Sequence, residues 1–202
     1  MTDHTDSTEI TRRRLMQTAA GVALAQLAPD VLAQASPPAA STAAPPTPGK
    51  PGDFNFLAGE WKISHRRLKD AAGDAASKTW DEFSGEATCW TILGGVGSIE
   101  ELRIPARNFS GMGLRLLDVE KKVWSDFWVN AKSGVLTTPG TTGSFEKGVG
   151  TFEADDEDAG KPIKVRGVWD RITPTSCRWY QEISNDGGKT WQLQWTMDWR
   201  RA

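Results

Sequence analysis

Every second residue near the C-terminus of this chain is large and apolar, and the residues between them are polar. The apolar positions are Trp191, Leu193, Trp195, Met197 and Trp199. Because successive side chains of a β-strand point to opposite faces, this pattern predicts a strand with one buried face and one wet face. The segment 57–64 alternates in the same way. Both ends of the folded region are therefore expected to be strands that carry tryptophan toward a core.

The chain between these two segments is a series of short apolar stretches separated by turn residues. Asp, Asn, Gly and Pro interrupt it from Phe54 onward, and no stretch shows a helical period. All ten tryptophans lie between Phe54 and the C-terminus. We predict an all-β fold, a single antiparallel up-and-down barrel of about 10 strands with little helix. Residues 134–138 are expected to form one of the strands, and the acidic run at 155–160 a solvated turn.

The N-terminal residues predict export. Arg12 and Arg13 precede an apolar run at 19–27, and Ala33-Gln34-Ala35 supplies a small-residue cleavage pattern. We assign residues 1–35 to a twin-arginine signal peptide, which implies a periplasmic or secreted location. Residues 36–52 form a Pro/Ala-rich disordered linker, and residues 53–202 form one domain. No run of about 18 apolar residues predicts a transmembrane segment.

Charge and cysteine content limit the partners. With 24 Lys and Arg against 26 Asp and Glu, the chain has a net charge of −2, which argues against nucleic acid as a partner.

The two cysteines, Cys89 and Cys177, fit either a disulfide or a pair of buried free thiols. The first is permitted by an oxidising envelope, and the second by folding in the reducing cytoplasm before export. The sequence does not indicate an oligomeric state.

Two short motifs suggest a type of barrel. Gly59-Glu60-Trp61 on the first strand and Trp199-Arg200-Arg201 at the end resemble the signature of the calycin barrels, which include the lipocalins. The resemblance implies that Trp61 closes the narrow end of a barrel and that a basic residue of the last strand lies over the indole. Arg201 shares the parity of Trp199, so a cation–π contact between Arg201 and Trp61 is expected. Gly59, Trp61 and Arg201 are therefore structural candidates.

A wider resemblance covers residues 53–201. The segments 53–61, 65–68, 148–152 and 186–191 are together similar to a family of uncharacterised bacterial calycin-like domains. That family is distantly similar to nitrobindin-type barrels, which hold haem through a histidine late in the chain. No histidine follows His65 here, so we expect neither haem nor another cofactor. The predicted domain has one histidine and two cysteines, fewer ligands than a zinc site of the usual kind needs, and we predict no metal.

The segment before the last strand matches the Asp-box pattern, Ser-x-Asp-x-Gly-x-Thr-Trp, which begins at Ser184. Its Asp186 is expected to satisfy turn amides and its Trp191 to anchor the turn. A propeller glycosidase would need several copies at a fixed period, and the sequence has one. We therefore interpret Asp186 and Trp191 as parts of a structural hairpin.

His65 is the candidate at the centre of a site. It lies about 13 Å beyond Trp61 on the same face of the first strand, which places it mid-barrel and Arg67 near the mouth. Trp195 on the antiparallel last strand should lie level with His65. Arg115 interrupts an apolar strand, and it either faces the interior or lies on the wet side. The predicted ligand-binding residues are His65, Arg67, Arg115, Trp128, Gln181 and Trp195.

Three hypotheses for function follow. The first is an exported protein that binds a small, largely apolar or amphipathic molecule inside the barrel. The second is an enzyme in the same cavity with His65 as acid or base, although no nucleophile or cofactor motif supports catalysis. The third is a non-catalytic interaction module with a filled core, for which Trp80, Trp90 or Trp124 could form an outward row.

Overall fold

A computed structural model of the chain describes residues 47–69, 79–158 and 160–202. The predicted signal peptide and residues 36–46 of the predicted linker lie outside the described residues. Ten antiparallel strands close into one barrel, in the order β1-β10-β9-β8-β7-β6-β5-β4-β3-β2. The strands are β1 (Gly59–Leu68), β2 (Trp80–Ile92), β3 (Gly97–Ile104), β4 (Phe109–Asp118), β5 (Val123–Asn130), β6 (Thr141–Glu146), β7 (Val149–Asp158), β8 (Lys161–Asp170), β9 (Ser176–Ser184) and β10 (Gln192–Arg201). The all-β antiparallel barrel is confirmed.

The first and last strands close the barrel. Trp61 pairs with Arg201 and Arg67 with Trp195 along the β1–β10 ladder. Each other strand pairs with its neighbours in sequence, so the chain is an up-and-down meander. The described helical segments are three short 3-10 turns, Asn55–Leu57, Leu93–Gly95 and Pro105–Arg107.

Two local predictions are wrong. Residues 134–138 form no strand, and one bridge, between Val129 and Leu136, is made there. Pro139 follows at once and has no amide to donate, so a ladder cannot extend. The acidic segment 155–158 is the end of β7, where Asp155 pairs with Lys164 at 2.6 Å. The lysines of β8 offset the acidic charge across the hairpin and make an extended pairing favourable.

The alternation along the last strand is broken by a bulge. The register between β9 and β10 shifts between Leu193 and Trp195, and the buried Gln194 lies at the shift. Leu193 therefore pairs with Glu182 on the outer face. The prediction that one face carries Trp191, Leu193 and Trp195 together is wrong. A bulge places two residues of one strand opposite one residue of its partner, so side chains on the two sides of the bulge that share a parity point to opposite faces.

The N-terminal described residues close one end of the barrel. Gly49 and Gly52 donate amide hydrogen bonds to Lys122 and Gly95 in the turns at that end. The chain then places Phe54 and Phe56 under the strands, against Trp124 and Trp169. Residues 47–52, which the sequence grouped with the linker, thus lie against the barrel, and we call this end the closed end.

Arg201 fastens the closed end. Its guanidinium donates to the carbonyl oxygens of Phe56, Ala58 and Pro174, and it lies 3.9 Å from the centre of the Trp61 ring. The expected contact between Arg201 and Trp61 is present. The backbone of Gly59 has φ of +119°, and a Cβ there would lie 2.6 Å from the guanidinium. Gly59 is therefore required by both its conformation and its neighbour.

Glycines make room for the large inward rings. A Cβ on Gly85 would lie 2.5 Å from His65, and one on Gly111 would lie 2.2 Å from Trp128. In each case the glycine is on a neighbouring strand, so the ring lies flat over bare backbone. This arrangement lets one barrel hold so many wide side chains in its interior.

Candidate ligand site in the barrel

The inward side chains differ in exposure between the two ends. At the closed end the rings of Trp61, Trp124, Trp169 and Trp199 are at most 1% exposed. At the other end five inward side chains are half-buried, namely Phe83, Trp128, Trp179, Gln181 and Ile183, whereas Ile104, Phe109 and Trp195 near them are buried. Solvent therefore reaches the interior at this second end, which we call the open end.

His65 lies on β1 between the closed end and the open end, and it is 2% exposed. Its imidazole is parallel to the ring of Phe83, with the centroids 4.6 Å apart and the planes at 7°. The indole of Trp195 lies 5.7 Å away at 37°. Gly85 provides the space for the imidazole. In the register Trp195 is opposite Arg67, two residues nearer the mouth than the predicted level of His65, although its ring lies beside the imidazole.

An arginine completes this stack. The guanidinium of Arg107, from the β3–β4 turn, lies 3.5 Å from the centre of the Phe83 ring and pairs with Asp81 at 2.5 Å. Since a guanidinium and an imidazole cannot both occupy one face of a phenyl ring, Phe83 is covered on both faces. Sequence reasoning missed Asp81, Phe83 and Arg107. The parity of β2 could have placed Asp81 and Phe83 inward, but Arg107 lies in a turn that carries no period.

Arg67 extends the same group toward the mouth. Its guanidinium lies 5.0 Å from the centre of the Trp195 ring. Trp195 also meets Trp179 edge-on at 5.8 Å, and its direct neighbour on β9 is Gln181. The structure therefore brings four predicted residues together: His65, Arg67, Gln181 and Trp195.

Trp128 lies apart from that group. It stacks on Phe109, with the centroids 6.5 Å apart and the planes at 10°, and covers Gly111. It lines the open end from β5, whereas the His65 group comes from β1, β2, β9 and β10. The open end thus has two aromatic walls with polar groups on one of them.

Arg115 faces the interior but belongs to the closed end. It is 4% exposed and pairs with the equally buried Glu100 at 2.5 Å and with Asp126 at 3.5 Å. Its guanidinium lies 5.3 Å from the rings of Phe54 and Trp169. Burial by itself would lower the pKa of Arg115, but the carboxylates of Asp126 and Glu100 raise it above its usual value. Arg115 is thus charged and neutralised by the protein's own carboxylates.

The cysteines are free thiols. Cys89 and Cys177 are buried and form no disulfide. Burial, with Glu100 nearby, raises the pKa of the Cys177 thiol to about 12 and raises that of Cys89 as well. A thiol in this state is protonated at neutral pH and is a poor nucleophile.

The Asp-box segment forms a self-contained turn between β9 and β10. The carboxylate of Asp186 accepts hydrogen bonds from the amides of Lys189 and Thr190 and from the hydroxyls of Ser184 and Thr190. These bonds hold the pKa of Asp186 well below its usual value. Trp191 lies outside the barrel under the guanidinium of Arg166, at 4.1 Å. The side chains of the motif are thus engaged in holding the turn.

The outward tryptophan row does not form. Trp124 is fully buried in the interior, and Arg66 covers Trp80 at 4.5 Å from its ring centre. Trp90 is 46% exposed, ten residues along β2 from Trp80. The correct faces follow from the inward direction of each strand, which parity alone does not give.

Comparison with known proteins finds no family model and no curated protein that matches this chain. Among the residues that the structure describes, no three His, Cys, Asp or Glu side chains are grouped as metal ligands would be. Within the same ranges, no helix has the length and apolar character needed to cross a membrane.

Proposed function

We propose that this protein binds a small, largely apolar molecule in the open end of the barrel. The observation that carries the proposal is the change in exposure between the two ends. The tryptophan rings at the closed end are buried, whereas the inward rings of Trp128 and Trp179 at the open end are half-buried. Apolar side chains that face inward and stay wet are stabilised when a ligand covers them.

The walls favour a flat or amphipathic ligand. Trp128 and Phe109 present parallel rings on one side, and Trp195 and Trp179 present edges and faces on the other. Aromatic walls of this kind stack planar groups. Arg67, Gln181 and the Arg107–Asp81 pair are polar groups at the open end, so a polar end of the ligand is expected to point toward the mouth.

We also propose the calycin class for the barrel and export for the chain. The closed antiparallel barrel, with Trp61 under Arg201, supports the first proposal. The twin arginine and the small-residue pattern at 33–35 support the second. The location would be periplasmic or secreted. Amino-terminal sequencing of the protein recovered from its own host tests both export and cleavage after residue 35.

Native mass spectrometry tests the binding proposal directly. The protein is purified from its own host without detergent, and its mass is compared before and after denaturation. We expect a non-covalent small molecule that is lost on denaturation, and an absorbance spectrum of the same sample would identify a coloured ligand. An apo mass in every preparation, together with no uptake of the probe described next, would contradict the proposal.

A pair of variants on β7 locates the site. Ala154 faces inward and is half-buried, whereas Glu153 beside it faces outward. Ala154→Trp should fill the open end and weaken binding of a fluorescent naphthalene probe about tenfold or more, since an indole takes the probe's volume. Glu153→Trp adds the same side chain outside and should leave the affinity unchanged. Equal affinity in the two variants would place the probe elsewhere.

A further inference from the structure

The outer surface of the barrel is apolar on one side. Most strands present charged residues outward, such as Lys62 and Arg66 on β1 and Asp198 and Arg200 on β10. Strand β4 instead has a charged residue on its inner face and apolar residues on its outer face. Its buried inward positions include Arg115, while Leu114 beside it faces outward.

The outward apolar residues are continuous across four strands. Trp90 on β2 pairs with Ile99 on β3, Ile99 pairs with Leu114 on β4, and Leu114 pairs with Phe127 on β5. We call the surface that they form with two flanking residues the β2–β5 apolar face. Its residues are Trp90, Ile99, Leu114, Leu116, Phe127 and Val129.

The centre of this face has no charge. Leu116 and Ile92 meet over Gly97, where a Cβ would lie 2.7 Å from Ile92 and 3.3 Å from Leu116. The nearest charges lie at the edges and are paired within the chain. Arg103 binds Glu101 at 3.1 Å on one edge, and Lys121 binds Asp118 at 2.7 Å on the other.

From these observations we propose that the β2–β5 apolar face is the interface of a homodimer. The uncharged centre of this face can meet the same face of a second copy, since two sheet faces pack about 10 Å apart. Each edge carries both signs of charge. A two-fold axis through the centre therefore brings no large patch of like charge in one copy against the same patch in the other.

The size of the face agrees with a dimer. Four strands about 4.8 Å apart make the row from Trp90 to Phe127 roughly 14 Å long. Together with the flanking residues, this gives an apolar area of a few hundred Å², the scale of the apolar core in an interface of about 800 Å² per partner. A patch of that size is comparable to the largest apolar patch on a typical monomer, and such patches are often functional.

Sedimentation velocity on the full chain tests the proposal, from about 1 to about 200 μM, because self-association follows mass action. We expect a species of twice the 22.1 kDa chain mass that grows with concentration. Trp90→Glu and Leu114→Glu should each raise the dissociation constant about tenfold or more, since a carboxylate would be buried unpaired. Ser64→Glu places the same charge on the outer face of β1 and should leave the constant unchanged.

Trp90 is largely exposed, so Trp90→Glu keeps the test valid if Leu114→Glu fails to fold, which near-UV circular dichroism would detect. A wild-type protein that is monomeric at every concentration overturns the proposal and points to residues 1–46 or to another protein as the cover. A dimer that Trp90→Glu leaves intact also overturns it, because the two copies then meet through another surface.

Discussion

Arg115 and Glu100 form an ion pair inside the barrel, with 2.5 Å between the guanidinium and the carboxylate and each side chain 4% exposed. Asp126 adds a second carboxylate at 3.5 Å. The geometry is stabilising only while all partners are present, since a buried charge without its counter-charge is strongly unfavourable.

Removing one member of this pair should therefore lower the free energy of unfolding far more than removing both. We expect Arg115→Met to lower the free energy of unfolding by about 3–5 kcal/mol, and the double variant with Glu100→Gln to recover much of the loss. Lys121→Met, in an exposed pair with Asp118, should leave the free energy of unfolding nearly unchanged, since water screens this pair. Urea unfolding followed by circular dichroism measures all three. Additive losses in the double variant would contradict a coupled pair.

The second prediction concerns the glycine under His65. Gly85→Ala would place a Cβ 2.5 Å from the imidazole, so we expect a loss of about 1–3 kcal/mol from the free energy of unfolding. In a His65→Ala background the same change should cost much less, because the ring that it meets is gone. Thermal unfolding of the four proteins in this cycle gives the coupling. Ser84→Ala, on the outer face, is the control and should be nearly neutral.

The third prediction separates two adjacent arginines. Arg201 holds three carbonyl oxygens and covers Trp61, whereas Arg200 is exposed on the outer face. We expect Arg201→Met to lower the free energy of unfolding by about 2–3 kcal/mol through lost hydrogen bonds and cation–π contact. Arg200→Met should change it by less than about 0.5 kcal/mol. Equal losses in urea unfolding would show that Arg201 does not fasten the closed end.

The fourth prediction is a pH dependence. Burial raises the pKa of Asp156 to about 6, whereas a carboxyl in the unfolded chain ionises near pH 4. The stability associated with this group is therefore fully present below about pH 4 and is lost as the pH rises through about 6. Asp156→Asn stays neutral and should stabilise the protein by about 1 kcal/mol at pH 8, a modest figure because water screens the half-buried carboxyl.

At pH 4 the same substitution should have almost no effect on the free energy of unfolding. The measurement is chemical unfolding of wild type and Asp156→Asn at pH 4, 6 and 8. A constant difference between wild type and Asp156→Asn across this range would contradict the assignment.

Much of the candidate site followed from parity counted outward from Trp61. His65 and Arg67 share its face, and the ladder to the last strand places Trp195 opposite Arg67. These positions were predictable because alternation in a strand is local and continuous. Arg107 was not predictable, because it enters the site from a turn, where no period relates a residue to the interior.

The sequence by itself determined the alternation of the strands, the turn chemistry between them and the shared face of Trp61 and His65. Only the tertiary structure decided which face of each strand points inward, since period two defines two faces and does not label them. It therefore decided that Arg115 lies inside and Leu114 outside. It also set the bulge at Gln194, which moves Leu193 to the outer face. Those choices depend on neighbouring strands, because a buried arginine is stable only where Glu100 and Asp126 meet it.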